Sequence, residues 1–319
     1  MISEKTIGVV VPAYNEGKLI NKTLETMPEF VDTIIAVNDG SKDDTRDRIL
    51  NCQKSDSRII LYDHEENKGL GQSLIDGYKK AEEMGIDVIA IMAGDAQMDP
   101  DDLEGVVTPV VEDEADYVKG CRLFEYDVKE KMPKYRFVGN NILTLLTKFA
   151  TGYWHVVDPQ CGYTAISLDA LAHIPIEEMI KGYGYNAHLL YMLNMQEYRV
   201  LDKKVKPVYG DEKSKIKLIK YIFNVSKLLW TLFFSRITKK YLKMDFNPLA
   251  LFYFLAMLCL PMSVVFGIRM LVIFAIELLM PSTTLLLFVF TSLMGMQSLF
   301  FAMWMDMEDN KRLRKYDKY

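Results

Sequence analysis

Residues 86–100 read IDVIAIMAGDAQMDP, and their reading decides the fold. Val88, Ile89, Ala90, Ile91 and Met92 form a short, unbroken apolar run, the pattern of a strand buried on both faces of a parallel sheet. The run stops at Gly94, and Asp95, Gln97 and Asp99 follow at once. In an open α/β sheet the carboxyl ends of strands border the ligand crevice, so oxygen donors for a hard cation and a phosphate-bearing ligand emerge where such ligands bind. Taken alone, the same letters also spell a strand, an acidic turn and the helix start Asp-Pro-Asp-Asp at 99–102. The flanking chain decides between the two.

Upstream, β-branched runs at 6–11, 33–37 and 58–62 alternate with helical patterns at 18–27, 43–51 and 69–84. This alternation predicts a parallel sheet with right-handed crossovers, the Rossmann-like half of an α/β domain. No GxGxxG follows the first strand. The turn reads Pro12-Ala13-Tyr14-Asn15-Glu16, which excludes the dinucleotide fingerprint and sets an aromatic ring and a carboxylate at the ligand edge. The second strand ends in Val37-Asn38-Asp39-Gly40-Ser41, with Asp39-Gly40 making a sharp exit and Asp43 or Asp44 capping the next helix. The third leads to Asn67-Lys68-Gly69-Leu70-Gly71, where glycines permit close backbone approach at a helix start, as a diphosphate contact requires.

VPAYNE at 11–16, VNDGSKDDT at 37–45, NKGLG at 67–71 and GDAQMDP at 94–100, in this order and spacing, resemble the family 2 glycosyltransferases. These are inverting enzymes with the GT-A nucleotide-sugar fold, and the resemblance is greatest to the polyprenyl-phosphate branch that includes dolichol-phosphate mannosyltransferase. The resemblance implies an inverting hexosyl transfer from a UDP- or GDP-linked sugar to a dolichyl or undecaprenyl phosphate. It assigns Pro12, Ala13, Tyr14, Glu16, Val37 and Asp39 to the nucleoside side, and Lys68, Gly69, Gly94 and Asp95 to the diphosphate side. Asp95, with Gln97, is the implied ligand of a divalent cation, Mg²⁺ or Mn²⁺, that neutralises the leaving diphosphate. Two letters depart from the family pattern: Ala93 stands at the first acid of Asp-x-Asp, and Asn38 at the first acid of DDGS. One aspartate in place of two leaves more of the coordination to diphosphate and water.

Beyond Pro100 a helix is expected through Val111, then a fifth strand at 117–122, where the resemblance makes Arg122 a phosphate contact. Residues 123–133 mix acids, lysines and a proline without periodicity and read as a loop over the site. The helical pattern from Arg136 reads as core or as a membrane-surface helix. Asp158, in Asp-Pro-Gln-Cys-Gly-Tyr, matches a D-x-x-x-G-F segment of the branch and is implied to be a base or a sugar-hydroxyl ligand. A phosphomonoester with a second pKa near about 6 is largely dianionic at neutral pH and barely needs a base, which favours an orienting role. A strand near 198–209 leads to Ser214 and Lys215, the retained part of an R-x-x-G-x-S-K phosphate motif. Tyr209 and Glu212 occupy its other places, with Lys213 or Arg136 as sources of the missing charge.

The formal net charge of −5 describes neither half of the chain, because acids collect before residue 130 and basic residues at 203–243 and 311–318. From Ile216 to Tyr241 aromatic and aliphatic residues recur at helical spacing among lysines, the composition of a helix in a headgroup layer. Residues 248–305 are almost wholly apolar, with Arg269 and Glu277 the only charges. They allow two spans, near 249–270 and 283–305, each of roughly 20 residues. Basic flanks at both outer ends put both termini in the cytosol by the positive-inside rule. The expected organisation is a cytosolic GT-A domain over 1–212, amphipathic interfacial helices over 213–246 and a transmembrane hairpin with a basic tail over 247–319.

A basic patch beside an apolar hairpin points to anionic lipid rather than nucleic acid. Cys52, Cys121, Cys161 and Cys259 form no CxxC pair, which argues against a zinc site or a disulfide frame. The N-terminus shows no signal-peptide pattern. His64, His155, His173 and His188 have no ligand spacing and read as structural or surface residues. The juxtamembrane pattern allows pairing between subunits in a homo-oligomer without demanding it. Two rival readings are a processive polysaccharide synthase, disfavoured by the lack of QxxRW, and a degenerate nucleotide-sugar-binding protein, suggested by Ala93 and Asn38.

Overall fold

The computed structural model describes Ile2 and residues 4–122, 134–206 and 218–315, with side chains from Asn141 onward in the second stretch and from Ile222 in the third. The first part follows the expected alternation: β1 (Ile7–Ala13), α1 (Ile20–Glu25), β2 (Thr33–Asn38), α2 (Thr45–Ser55), β3 (Ile59–Asp63), α3 (Leu70–Glu83), β4 (Val88–Ile91), α4 (Leu103–Val111) and β5 (Tyr117–Cys121). There follow α5 (Lys134–Thr151), β6 (Thr164–Ser167), α6 (Leu168–His173), α7 (Tyr185–Met195), β7 (Val200–Lys204), α8 (Leu218–Thr238), α9 (Leu249–Glu277), α10 (Ser282–Asp309) and β8 (Arg314–Lys315).

The strands form one sheet in the order β3-β2-β1-β4-β6-β5-β7-β8. The first four pair in parallel, as their all-apolar runs predict. The sheet is mixed rather than parallel throughout, because β6 enters antiparallel between β4 and β5. This four-residue strand has no periodic signature of its own. Alternate residues of β1 and β4, among them Val9, Val11, Val88 and Ala90, build one core face with Leu24 of α1, Ile49 of α2 and Val106 of α4. On the other face α3 lies so close to β1 that a Cβ on Gly77 would stand 2.3 Å from the Val10 side chain.

Two compact units result, Met1–Phe233 with Arg312–Tyr319, and Phe234–Lys311. Within the second, α9 and α10 have 29 and 28 residues and present Leu258, Ile268, Leu271, Leu286, Leu293 and Trp304 to their surroundings. An apolar exterior of this length suits lipid, where a helix of about 20 residues crosses the hydrocarbon. The helices pack tightly where a Cβ on Gly295 would meet the Leu260 backbone nitrogen at 3.1 Å. In the same unit Arg236 and Asp306, both fully buried, pair through Arg236 Nη1 and Nη2, each 2.7 Å from a carboxylate oxygen. Tyr253 and Asn310 add donors to that carboxylate.

Candidate active site

Because β5 and β7 run parallel to β1, β2, β3 and β4, all six strands deliver their carboxyl ends to one edge. The segment preceding antiparallel β6, which carries Asp158, ends at that edge too. Parallel strand ends with their backbone groups and loops unpaired are where such sheets bind ligands.

The first corner is made by the turns after β1 and β2, which are stitched together. Asn15 N donates to Ser41 Oγ at 3.0 Å, and Lys42 N returns a bond to Asn15 Oδ1 at 2.8 Å. Glu16 N donates to Thr45 Oγ1 at 2.9 Å, and Gly17 N to Asp43 Oδ2 at 3.0 Å. Asp43 also accepts from Thr45 N, so of the two expected capping acids it is Asp43 that serves the start of α2. Pro12, Ala13 and Val37 are buried in the wall, Glu16 is half-buried, and Tyr14 stands 42% exposed above them.

Asn38 is buried and donates from Nδ2 to Asp63 Oδ1 at 2.7 Å, while Asp63 also pairs with Arg46. An aspartate at 38 would set two carboxylates against each other at that distance. The NDGS departure therefore has a local structural reason.

Asp39, at the end of β2, is 3% exposed. Its oxygens accept from Lys68 N at 2.8 Å and Gly69 N at 2.9 Å, so it holds the turn that opens α3. His64 Nδ1 lies 2.8 Å from Asp39 and its Nε2 2.9 Å from Asp76 of α3. Sequence reading assigned His64 no site role; a lone buried histidine between two acids far apart in sequence leaves no spacing signal. Gly71 has no room for a side chain, since its Cβ would stand 2.4 Å from the Ile180 carbonyl oxygen.

The corner after β4 is pinned to β1 by Gly94 N donating to Pro12 O at 3.1 Å. Asp95 and Gln97 are half-buried, and Asp95 Oδ1 accepts from Gln97 N at 3.1 Å. Between them Ala96 adopts φ 54°, a left-handed conformation that costs an alanine about 1 kcal/mol. Asp99 accepts from Asp101 N, the expected helix start. Among the described residues no three His, Cys, Asp or Glu side chains converge as a metal cluster. One carboxylate and one amide fit a hard cation that takes its remaining oxygens from a diphosphate and water, and do not fit an all-protein cage.

At the end of β5, Arg122 Nε donates to Asp158 Oδ2 at 2.8 Å and Nη2 to Oδ1 at 3.2 Å. Asp158 is buried, whereas the Arg122 side chain remains 45% exposed. Beneath them Lys119 is buried with Nζ 2.6 Å from Cys161 O, and burial lowers its pKa to about 8. Asp202 accepts from Val157 N at 2.6 Å and is pushed up to about 7 by burial. Neither was singled out from sequence, where Lys119 and Asp202 look like ordinary surface charges. Lys213, Ser214 and Lys215, with residues 123–133 and Tyr209, lie outside the described residues, as does the Arg136 side chain.

Residues 8–174 match the family model for glycosyl transferase family 2. The chain is 31% identical over 223 residues to a UDP-N-acetylglucosamine–dolichyl-phosphate N-acetylglucosaminyltransferase of Methanococcus voltae, covering 66% of this chain and 88% of that one. It is 27% identical over 258 residues to a dolichyl-phosphate beta-glucosyltransferase of Trichomonas vaginalis, covering 72% and 74%. In fold it is similar to glucosyl-3-phosphoglycerate synthase of Mycobacterium tuberculosis solved with Mn²⁺, UDP and phosphoglyceric acid. The TM-score is 0.55 at 17% identity, over 73% of this chain and 79% of the other. With its GT-A sheet, its stitched strand-end turns and relatives that act on dolichyl phosphate, the chain belongs to glycosyl transferase family 2.

Proposed function

We propose that the chain transfers a sugar from a UDP-linked donor to a polyprenyl phosphate at the cytosolic membrane surface, with inversion at the anomeric carbon. The observation that carries this reading is the convergence of Tyr14, Asp95, Arg122 and Asp158 on one sheet edge, in a chain that also carries two long apolar helices. The Methanococcus relative's name supports UDP as the nucleotide and a dolichyl phosphate as the acceptor.

Tyr14, with the walls around Pro12, Ala13 and Val37, holds the nucleoside, and Glu16 closes the near side. Asp39 secures the Lys68-Gly69 turn by taking both of its backbone N–H groups, which leaves the Lys68 side chain for the diphosphate, and Gly94 lets the Asp95 turn approach it. Asp95, supported by Gln97, holds the divalent cation, Mg²⁺ or Mn²⁺. When bound, that cation neutralises the charge of the departing diphosphate. Arg122, with Lys213, Ser214, Lys215 and Arg136, binds phosphate. A phosphate oxygen of the acceptor attacks the anomeric carbon as the bond to the diphosphate oxygen breaks on the opposite face. The acceptor is already ionised, so Asp158 orients rather than deprotonates.

The 213–246 segment lies in the headgroup layer and 247–319 anchors the chain. On α8, Phe223 is 70% and Trp230 50% exposed, the amphipathic aromatic surface that a lipid interface favours. Both termini and residues 1–212 are cytosolic in this reading.

The test is transfer by purified protein in detergent from radiolabelled UDP-GlcNAc, UDP-glucose and GDP-mannose to a polyprenyl phosphate with Mg²⁺ or Mn²⁺. A lipid-linked, EDTA-sensitive single-sugar product from a UDP donor is expected. Product from the GDP donor alone overturns the nucleotide assignment, a polymer favours a synthase, and no product from any donor overturns the reading.

A further inference from the structure

Asp158 sits on a turn whose two ends are tied to one pair of neighbouring strand residues. Residues 153–157 run over β7 with a constant offset of 45 positions: Tyr153 Oη donates to Tyr198 O, His155 Nε2 to Val200 O, and Val157 N to Asp202 Oδ2. Positions 198, 200 and 202 recur at the two-residue period of a strand, so the segment keeps in step with β7. At the far end Cys161 N donates to Asp158 O at 3.2 Å, closing the turn, and Cys161 O accepts from Lys119 Nζ. Lys119 and Asp202 are direct register partners on parallel β5 and β7, which places both side chains on the same face. Lys119 is anchored further by Asn186 Oδ1 of α7 at 3.0 Å.

A lysine and an aspartate inside a sheet are costly where two apolar residues would pack well. The cost is plain at Asp202, whose Oδ1 is buried without a hydrogen-bond partner among the described residues. We infer that Lys119 and Asp202 are positioning residues for the reaction proposed above, holding the turn at Val157 and Cys161, and that the charge on Asp202 sets how firmly Asp158 is presented.

The charged and titratable groups around the pair are Lys148 from α5, Asp158 from the turn, Cys161, and Arg122 at the end of β5. In this environment Asp202 gains its charge near pH 7, and Lys119 loses its own near pH 8. Ionised Asp202 makes a charge-assisted bond to Val157 N, which is about twice as strong as a neutral one. The turn is therefore held best once Asp202 is ionised, and turnover falls as pH drops through 7.

Asp202→Asn keeps an acceptor oxygen for Val157 N and removes the charge, whereas Asp202→Ala removes both, and Lys119→Met frees Cys161 O. Hydrogen exchange of the 153–161 peptide, measured on the full-length protein in detergent without substrate, reads the turn independently of turnover. D202A and K119M are expected to speed this exchange and to lower kcat by about tenfold or more, with donor KM within about threefold. D202N should keep only part of the wild-type protection at pH 8 and lose the limb near pH 7, leaving only the acceptor phosphate's own limb near about 6. Unchanged exchange in D202A, or a limb near pH 7 that survives in D202N, overturns the inference. If D202A does not accumulate, the isosteric D202N supplies the deciding pH profile. If the wild type makes no lipid product, the functional reading fails, and the exchange result still decides whether these residues hold the turn.

Discussion

Arg122 grips Asp158 through two hydrogen bonds, and the carboxylate is buried while much of the guanidinium stays open to solvent. The cation assigned to phosphate and the carboxylate assigned to sugar or acceptor are thus one ion pair. Arg122→Ala should lower kcat/KM for the acceptor by about a hundredfold, from lost phosphate charge and a stranded Asp158. Asp158→Asn keeps an oxygen for orientation, so an orienting role predicts a loss of about tenfold to a hundredfold. A loss of about a thousandfold or more in steady-state rates would instead mark a base.

Asp95 is the one strand-end carboxylate of its turn, so Asp95→Ala should abolish metal-dependent transfer. Ala93→Asp restores the acid that the family pattern places two residues earlier. It should lower the Mn²⁺ concentration for half-maximal rate, because a second anionic oxygen joins the site. Metal titrations of initial rate check both; full activity in Asp95→Ala would reject the assignment.

His64 bridges Asp39 and Asp76 and so ties the end of β2 to α3. His64→Ala leaves two buried or half-buried carboxylates without it and loosens the Lys68-Gly69 turn. Stability should fall by about 1–3 kcal/mol, and donor affinity measured by calorimetry should weaken by about tenfold, with acceptor KM unmoved.

The folded protein holds Asp202 near pH 7, against 3.8 for the free side chain. Between these values the folded state binds more protons than the unfolded one, so this residue's contribution to stability falls as pH rises from 4 to 7. Thermal unfolding of Asp202→Asn should lose that slope and show its largest gain over wild type at pH 8. An equal difference at pH 5 and pH 8 would contradict this.

Arg236 and Asp306 form a fully buried pair. Arg236→Met leaves the Asp306 charge stranded and should destabilise by about 3–5 kcal/mol, whereas Arg236→Met with Asp306→Leu should recover most of the loss. Thermal unfolding in detergent checks this, and additive losses in the double variant would contradict it.

Four motif-bearing strand ends, their helices and the two apolar spans were legible from the letters alone, because each is a local pattern. A buried parallel strand is a run of β-branched residues, and a span is a run of apolar ones. The place of the candidate residues at the sheet edge was legible for the same reason: a polar residue directly after a buried run has nowhere to go but that edge. The antiparallel entry of β6 was not legible, since a strand of four residues takes its direction from its neighbours. Nor were the roles of His64, Lys119 and Asp202, whose letters resemble surface charges and whose partners lie 12 to 67 positions away. By itself, then, the sequence determined the fold class, the edge where chemistry gathers and the apolar anchor, all written in short-range periodicity. Only the tertiary structure decided which charges are buried and what they hold, because burial and pairing depend on segments that meet only once the sheet has closed over them.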